Sequence, residues 1–148
     1  MADSTFKNSP FKLPSGWKVH STGGVIGNHK YKPDISIKDS NEKFTYIIES
    51  TSTNDRKVGL GELLLAEKFF IDEKQKGVLV FSLCGRSSSP PRPETQIEYV
   101  RPYFDFLKQN NKGAGVVEVN FIYEVDFKNA EWDLFSNDYS DKVLKLYV

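Results

Sequence analysis

Two carboxylates stand inside short apolar stretches, at positions where a β-strand ordinarily carries uncharged residues. Asp34 lies in Lys32-Pro-Asp-Ile-Ser-Ile37, and Glu49 lies in Phe44-Thr-Tyr-Ile-Ile-Glu-Ser-Thr51. Paired carboxylates bind hard divalent cations such as Mg²⁺ through oxygen, and a bound cation activates water and phosphate groups. The chemistry open to these residues therefore depends on whether the fold brings them together.

A β-hairpin would place the two carboxylates on one face of a sheet. The turn residues Asp39–Glu42 separate the two stretches, which is typical of a hairpin. With this turn at the centre, Asp34 is expected opposite Ile47, and Glu49 opposite Lys32. Asp34 and Glu49 are then diagonal neighbours about 7 Å apart, whereas a one-residue slip would separate them onto opposite faces. Because two carboxylates at this spacing repel, we expect a cation between them.

The pattern of apolar residues predicts the other strands and helices that would hold this hairpin in place. It predicts further strands at Trp17–Ser21, Val78–Cys84 and Val116–Tyr123, a helix over 60–72, and a connecting loop at Ser87–Pro93. Thr95-Gln-Ile-Glu98 matches a capping box and predicts that a second helix begins there, kinked or restarted at Pro102.

The order of these elements predicts the fold class. Three strands, a helix, a strand, a helix and a strand imply a single α/β domain over residues 1–148, with a mixed central sheet flanked by helices. Hairpin-linked strands are antiparallel and a β-α-β crossover is parallel, so both kinds of pairing are expected in one sheet.

Composition narrows the classes of function. The single Cys84 excludes an internal disulfide framework and fits a reducing compartment, and no apolar run approaches the roughly 18 residues of a membrane-spanning helix. We therefore expect a soluble cytoplasmic protein that does not enter a membrane. His20 and His29 have no cysteine or further acid at zinc-ligand spacing, so a zinc site is not indicated. The net charge is zero, but residues 1–32 hold five lysines against one aspartate, which indicates a mildly basic surface.

The stretches around the two carboxylates resemble the PD-(D/E)XK nuclease superfamily, which has the restriction-endonuclease-like fold. The resemblance covers about residues 17–84: a strand beginning Pro33-Asp34, a short hairpin, a strand ending Glu49-Ser-Thr51, then a helix and a strand. It implies a β-β-β-α-β core and an endonuclease that hydrolyses phosphodiester bonds with Mg²⁺ or Mn²⁺. It also implies a nucleic-acid substrate, with DNA favoured and RNA left open, and it allows a homodimer or a subunit of a larger nuclease or defence assembly.

The resemblance further implies a role for each residue of the motif. Asp34, Glu49 and the backbone carbonyl of Ser50 would hold the metal ion. Thr51 stands where the family usually has a lysine that orients or deprotonates the attacking water. A threonine carries no charge and has no useful pKa for that task, so the missing cation is expected elsewhere.

Basic residues near the hairpin are candidates for the missing cation and for contacts with phosphate. Lys57, at the entrance of the first predicted helix, is the first candidate, followed by Lys32 and Arg56. Contacts with the nucleic-acid backbone are expected from Lys30, Lys32, Arg56 and His29.

Two other interpretations of the same residues stay open. The chain could be a catalytically degenerate module of the nuclease fold that binds nucleic acid or a protein, with Thr51 marking the lost chemistry. It could also be an unrelated α/β interaction protein, in which Asp34 satisfies backbone groups and Glu49 pairs with Lys32. Glu62 and Glu67 lie on the helix after the site. Glu62 could approach the metal ion behind its direct ligands, but a solvated helix face is the expectation for both.

Overall fold

Six strands form one open sheet in a computed structural model that describes residues 4–85 and 89–148. Their order in the sheet is their order in the chain: β1 Lys18–Ser21, β2 Ile35–Lys38, β3 Phe44–Thr51, β4 Lys76–Leu83, β5 Gly115–Tyr123 and β6 Leu144–Tyr147. The first three strands are antiparallel, β3, β4 and β5 are parallel, and β6 is antiparallel to β5. The predicted mixed α/β sheet is therefore confirmed.

Helices cover both faces of this sheet. Within the described ranges they are α1 Ser4–Lys7, α2 Arg56–Asp72, α3 Pro93–Lys108, α4 Glu124–Asn129 and α5 Asn137–Lys142. Helices α2 and α3 pack on one face together with each other, and α4 and α5 pack on the opposite face. No helix in the described part of the chain has the length and apolar character needed to cross a membrane.

The apolar run of β4 follows from its place at the centre of the sheet. Leu79 and Phe81 point into the core beneath α2 and α3, and Val80 points into the core beneath α4 and α5. All three side chains are at most 2% exposed. A parallel strand buried on both faces needs apolar residues at consecutive positions rather than alternating ones.

The register of the β2–β3 hairpin differs from the predicted one by two residues. Ile35 pairs with Ile48, so Asp34 comes opposite Glu49 rather than opposite Ile47. The Asp39 N–H donates to the Lys43 carbonyl, so the turn is one residue longer than predicted. A β-bulge between Ile37 and Lys38 shifts the register by one further residue. Two added residues preserve the face on which each side chain lies, so Asp34 and Glu49 still share one face.

The two long helices begin earlier than predicted. Asp55 caps α2, since its carboxylate accepts a hydrogen bond from the Lys57 backbone N–H at 2.9 Å. The predicted capping box at Thr95 is wrong: α3 begins at Pro93, whose fixed φ suits the first helical position. Helix α3 continues through Pro102 without a restart. Ser87 and Ser88 of the predicted loop lie outside the described residues.

Candidate functional site

Asp34 and Glu49 lie side by side at the end of the hairpin. Asp34 immediately precedes β2, Glu49 is near the end of β3, and the Asp34 backbone N–H donates to Glu49 Oε2 at 3.4 Å. Each residue is only 6% exposed. The structure therefore brings together the two acids that the sequence predicts as a pair, as direct rather than diagonal neighbours.

Hydrogen bonds from the protein hold both carboxylates in place. Ser50 donates its backbone N–H to Asp34 Oδ2 at 2.9 Å, and the Tyr31 hydroxyl donates to Glu49 Oε1 at 2.9 Å. Tyr31 is itself fixed by a turn, because its carbonyl accepts from the Ile26 N–H at 2.8 Å. Glu49 accepts these bonds instead of pairing with Lys32. A carboxylate has about four lone-pair sites, so Glu49 keeps acceptor capacity for a cation.

A third carboxylate, Glu62 of α2, points toward the same pair. Its Oε2 atom is buried and, among the described residues, has no hydrogen-bond partner. The expectation of a solvated helix face is therefore wrong for Glu62, and it is also wrong for Glu67, which is buried at 4% exposed. The sequence did hold a signal, because Glu62 shares one helix face with the buried residues Ala66 and Phe69 at spacings of four and seven.

Burial and mutual repulsion raise the pKa of two of these carboxylates, Glu49 and Glu62. Burial raises the pKa of Glu49 well above its usual range, and the negative charges of Glu62 and Asp34 raise it further. Burial and the charge of Asp34 raise the pKa of Glu62 to about 8. A positive charge that enters the cluster, either a proton or a metal ion, therefore stabilises these carboxylates electrostatically.

Lysines surround the cavity above these acids. The cavity has a volume of about 550 Å³, and Lys7, Lys30 and Lys32 line it together with Asp34, Glu49 and Glu62. Three of the five lysines in the first 32 residues therefore converge on one site.

Lys7 reaches this cavity from α1, and sequence spacing gave no indication of it. Gly23 makes the approach possible: it adopts a φ of +97°, and a β-carbon there would lie 2.8 Å from Lys7 Nζ. A larger residue at position 23 would strain the backbone and displace the ammonium group.

Of the residues predicted to replace the motif lysine, Lys32 lines the cavity beside the acids, whereas Lys57 and Arg56 do not. Thr51 is buried, at 7% exposed, and does not line the cavity. Lys57 is exposed at the start of α2 and is likewise absent from the cavity lining. The Arg56 guanidinium stacks 4.0 Å from the centre of the Tyr99 ring. The cations beside the acids are instead the three lysines of the cavity.

His29 and the Ser50 side chain also point away from the acids. His29 Nε2 lies 3.3 Å from Asp72 Oδ2, on the outer side of α2. The Ser50 hydroxyl donates to Glu124 Oε1 at 3.1 Å on the opposite face of the sheet. Ser50 therefore takes part in the site through its backbone alone.

The donor set fits a hard cation held by few protein ligands. Within residues 4–85 and 89–148, no three His, Cys, Asp or Glu side chains are arranged as a ready metal-binding group. Mg²⁺ characteristically keeps several waters and uses only one or two carboxylates. Asp34 and Glu49 match that requirement, and the orphaned Oε2 of Glu62 could accept from a metal-bound water. The oxygen-only donors do not favour zinc.

Comparisons of this chain with protein-family models, with curated proteins and with solved structures find no match.

Glu62→Gln should remove part of the pH dependence of stability in the metal-free protein. The folded-state pKa of about 8 exceeds the ordinary value of 4.5, so the folded chain binds more protons between these values. The free energy of unfolding therefore falls as pH rises through this window. The variant should be more stable than the parent at pH 8 by on the order of 2 kcal/mol, and about equal at pH 5.

Thermal unfolding in EDTA across this pH range would measure the effect. Glu98→Gln, an exposed change on α3, provides the matched control. Equal pH slopes for Glu62→Gln and the parent would show that Glu62 is not held in a desolvated cluster.

Proposed function

We propose that this protein is a metal-dependent nuclease that hydrolyses phosphodiester bonds, in DNA in preference to RNA. The observation that carries the proposal is one cavity lined by two buried carboxylates, Asp34 and Glu49, by the half-buried Glu62 and by three lysines. Acids that bind a divalent cation and lysines that bind phosphate are both required for this reaction. The resemblance of residues 17–84 to the PD-(D/E)XK superfamily supports a restriction-endonuclease-like core and the choice of DNA.

In this proposal Asp34 and Glu49 hold Mg²⁺ or Mn²⁺, assisted by the backbone carbonyl of Ser50. A divalent ion held by these residues would supply Lewis-acid activation of the scissile phosphate and of a water nucleophile. The Tyr31 hydroxyl and the Ser50 N–H orient the two carboxylates, so little reorganisation is needed when the substrate arrives.

The other groups in the cavity bind the substrate and move protons. Lys7, Lys30 and Lys32 neutralise the phosphate, and one of them replaces the missing motif lysine. Glu62 would accept a proton from the attacking water, because its Oε2 atom is buried, has no hydrogen-bond partner among the described residues and belongs to the same cavity as Asp34 and Glu49.

A catalytically degenerate module of the same fold is the second candidate. It is favoured by the threonine at position 51, which is buried and uncharged. It is also favoured by Glu49, both of whose oxygens already accept hydrogen bonds from the protein. Such a module would bind nucleic acid through the lysines without cutting it.

Cleavage assays distinguish these candidates. Labelled single-stranded DNA, duplex DNA and RNA would be incubated with Mg²⁺, with Mn²⁺ and with EDTA, using the parent chain and Asp34→Ala in parallel. We expect metal-dependent cutting of DNA that Asp34→Ala lacks. Equal cutting by both preparations would indicate a contaminating nuclease. Salt-sensitive binding without cutting would support the degenerate module.

A further inference from the structure

Besides the carboxylate cavity, which Asp34, Glu49 and Glu62 line, a second cavity lies at the carboxyl ends of β4 and β5. Residues of α1, of the two strand ends and of α4 surround it. Its volume is about 600 Å³, and cavities of roughly 300–1,000 Å³ are typical of sites that bind small molecules. The nuclease proposed above makes no use of this cavity.

Aromatic side chains form part of the wall of the second cavity. Phe6, Tyr123 and Trp132 line it, and the rings of Phe6 and Trp132 meet edge to face with their centroids 5.9 Å apart. Trp132 has a φ of +56°, which a bulky residue rarely adopts, and its backbone N–H donates to the Phe127 carbonyl at 3.0 Å. Backbone strain of this kind is concentrated at functional sites. The wall therefore favours a planar aromatic ligand, which packs well against such rings.

The polar groups of the lining indicate how such a ligand would be oriented. At the strand ends, the buried Ser50 hydroxyl donates to Glu124 Oε1 at 3.1 Å and lies 3.5 Å from Cys84 Sγ. Lys128, one turn further along α4, also lines the cavity and is exposed to solvent. Its ammonium group can bind an anionic group of a ligand whose aromatic body enters between the rings. We propose that this cavity binds a small aromatic anion.

Ser50 of β3 contacts groups of both cavities. Its hydroxyl bonds to Glu124 and lies beside Cys84 of the second cavity, whereas its backbone N–H donates to Asp34 Oδ2 at 2.9 Å in the carboxylate cavity. A ligand that moves Glu124 or Cys84 therefore changes the hydrogen bonds of the residue that orients Asp34. The two cavities are joined by this one residue of the sheet.

Helix α1 makes a second connection between the two cavities. Phe6, which is 3% exposed, lines the second cavity, and the next residue, Lys7, lines the carboxylate cavity. A ligand that packs against Phe6 binds only while α1 is docked, so it shifts the chain toward the docked form. It thereby holds the Lys7 ammonium group in the carboxylate cavity. The ligand site does not depend on the proposed nuclease activity, so either can fail while the other stands.

Fluorescence titration with anilinonaphthalene sulfonate, a small aromatic anion, tests the site. Cys84 is the single cysteine of the chain and lines the second cavity, so the rate at which N-ethylmaleimide labels the protein reports on that cavity. We expect saturable binding of the probe. At about ten times the probe's dissociation constant, mass action predicts that labelling slows about tenfold. A lack of saturable binding, or binding that leaves the labelling rate unchanged, would overturn the proposal.

Lys128→Ala tests how the anionic group is held. The variant should raise the dissociation constant of the probe about threefold, an effect of the size that exposed ion pairs give. Lys142→Ala is the matched control, because it removes one exposed lysine of α5 that does not line the second cavity. Unchanged binding by Lys128→Ala, or equal weakening by both variants, would contradict an anionic group bound at Lys128.

Limited digestion with trypsin, which cleaves after lysine, tests the connection through α1. Cleavage after Lys7 requires α1 to leave its docked position, so its rate measures how often this opening occurs. At about ten times its dissociation constant, the probe should slow this cleavage about tenfold. Cleavage after Lys112, in the exposed connection between α3 and β5, is the internal control and should keep its rate. An unchanged rate at Lys7, or equal slowing at both lysines, would contradict the connection.

Discussion

Glu49→Gln is expected to lower the rate of metal-dependent cleavage by about 10³-fold or more, since it removes one of the two carboxylates that hold the metal ion. The same change should stabilise the metal-free protein above the ordinary glutamate pKa of 4.5, because Glu49 must take up a proton or keep a repelled charge on folding, whereas glutamine is neutral in both states. Glutamine has nearly the shape of glutamate and can still accept the hydrogen bond from Tyr31. Loss of activity together with a gain in stability is the expected signature of a functional site.

Cleavage rates test the expected loss of activity, and thermal unfolding in EDTA tests the expected gain in stability. Both would be measured on the same preparations. Glu98→Gln on the exposed side of α3 controls for the loss of one negative charge. Unchanged cleavage by Glu49→Gln would remove Glu49 from the metal site. A strong loss of stability would show instead that its carboxylate has a structural role.

Lys108→Met is expected to have the largest effect on stability, about 3 to 5 kcal/mol, because it leaves a buried charge without its partner. Lys108 Nζ donates to both oxygens of Glu67, at 3.1 and 3.0 Å, and to the carbonyl of Ala114 at 2.6 Å. The two side chains are 4% and 6% exposed. The pair joins α2 to α3, and the Val116 N–H, donating to Glu67 at 2.7 Å, joins both to β5.

Urea-induced unfolding would measure this loss, and Lys108→Met/Glu67→Gln provides the comparison. Neutral glutamine can still accept a hydrogen bond from the Val116 N–H without leaving an unpaired charge, so the double variant should recover part of the stability. A loss below about 1 kcal/mol in Lys108→Met would contradict a buried ion pair.

Gly115 is needed beside this pair: its φ is +76°, and a β-carbon there would collide with Glu67 Oε1.

The strands and the fold class were determined by local sequence pattern. The observed β3, Phe44–Thr51, has the predicted bounds, and the apolar run of β4 predicted a strand covered on both faces. These elements could be predicted because side-chain alternation, glycines at strand ends and helical spacing act over a few residues. The proximity of Asp34 and Glu49 could also be predicted from the local sequence, because a short turn joins their two strands.

Tertiary structure alone decided which other groups meet these two acids. One extra turn residue and one bulge moved Asp34 directly opposite Glu49, and neither has a distinctive signature in the sequence. Lys7 reaches the cavity from the N-terminal helix, and Glu67 pairs with Lys108 forty-one positions away. Helical spacing indicated only that Glu62 lies on the buried side of α2, and not that it meets Asp34 and Glu49. Each of these contacts depends on how the helices pack on the sheet. Packing is set by the sum of many non-local contacts, whereas the local pattern determines only which face of an element is buried.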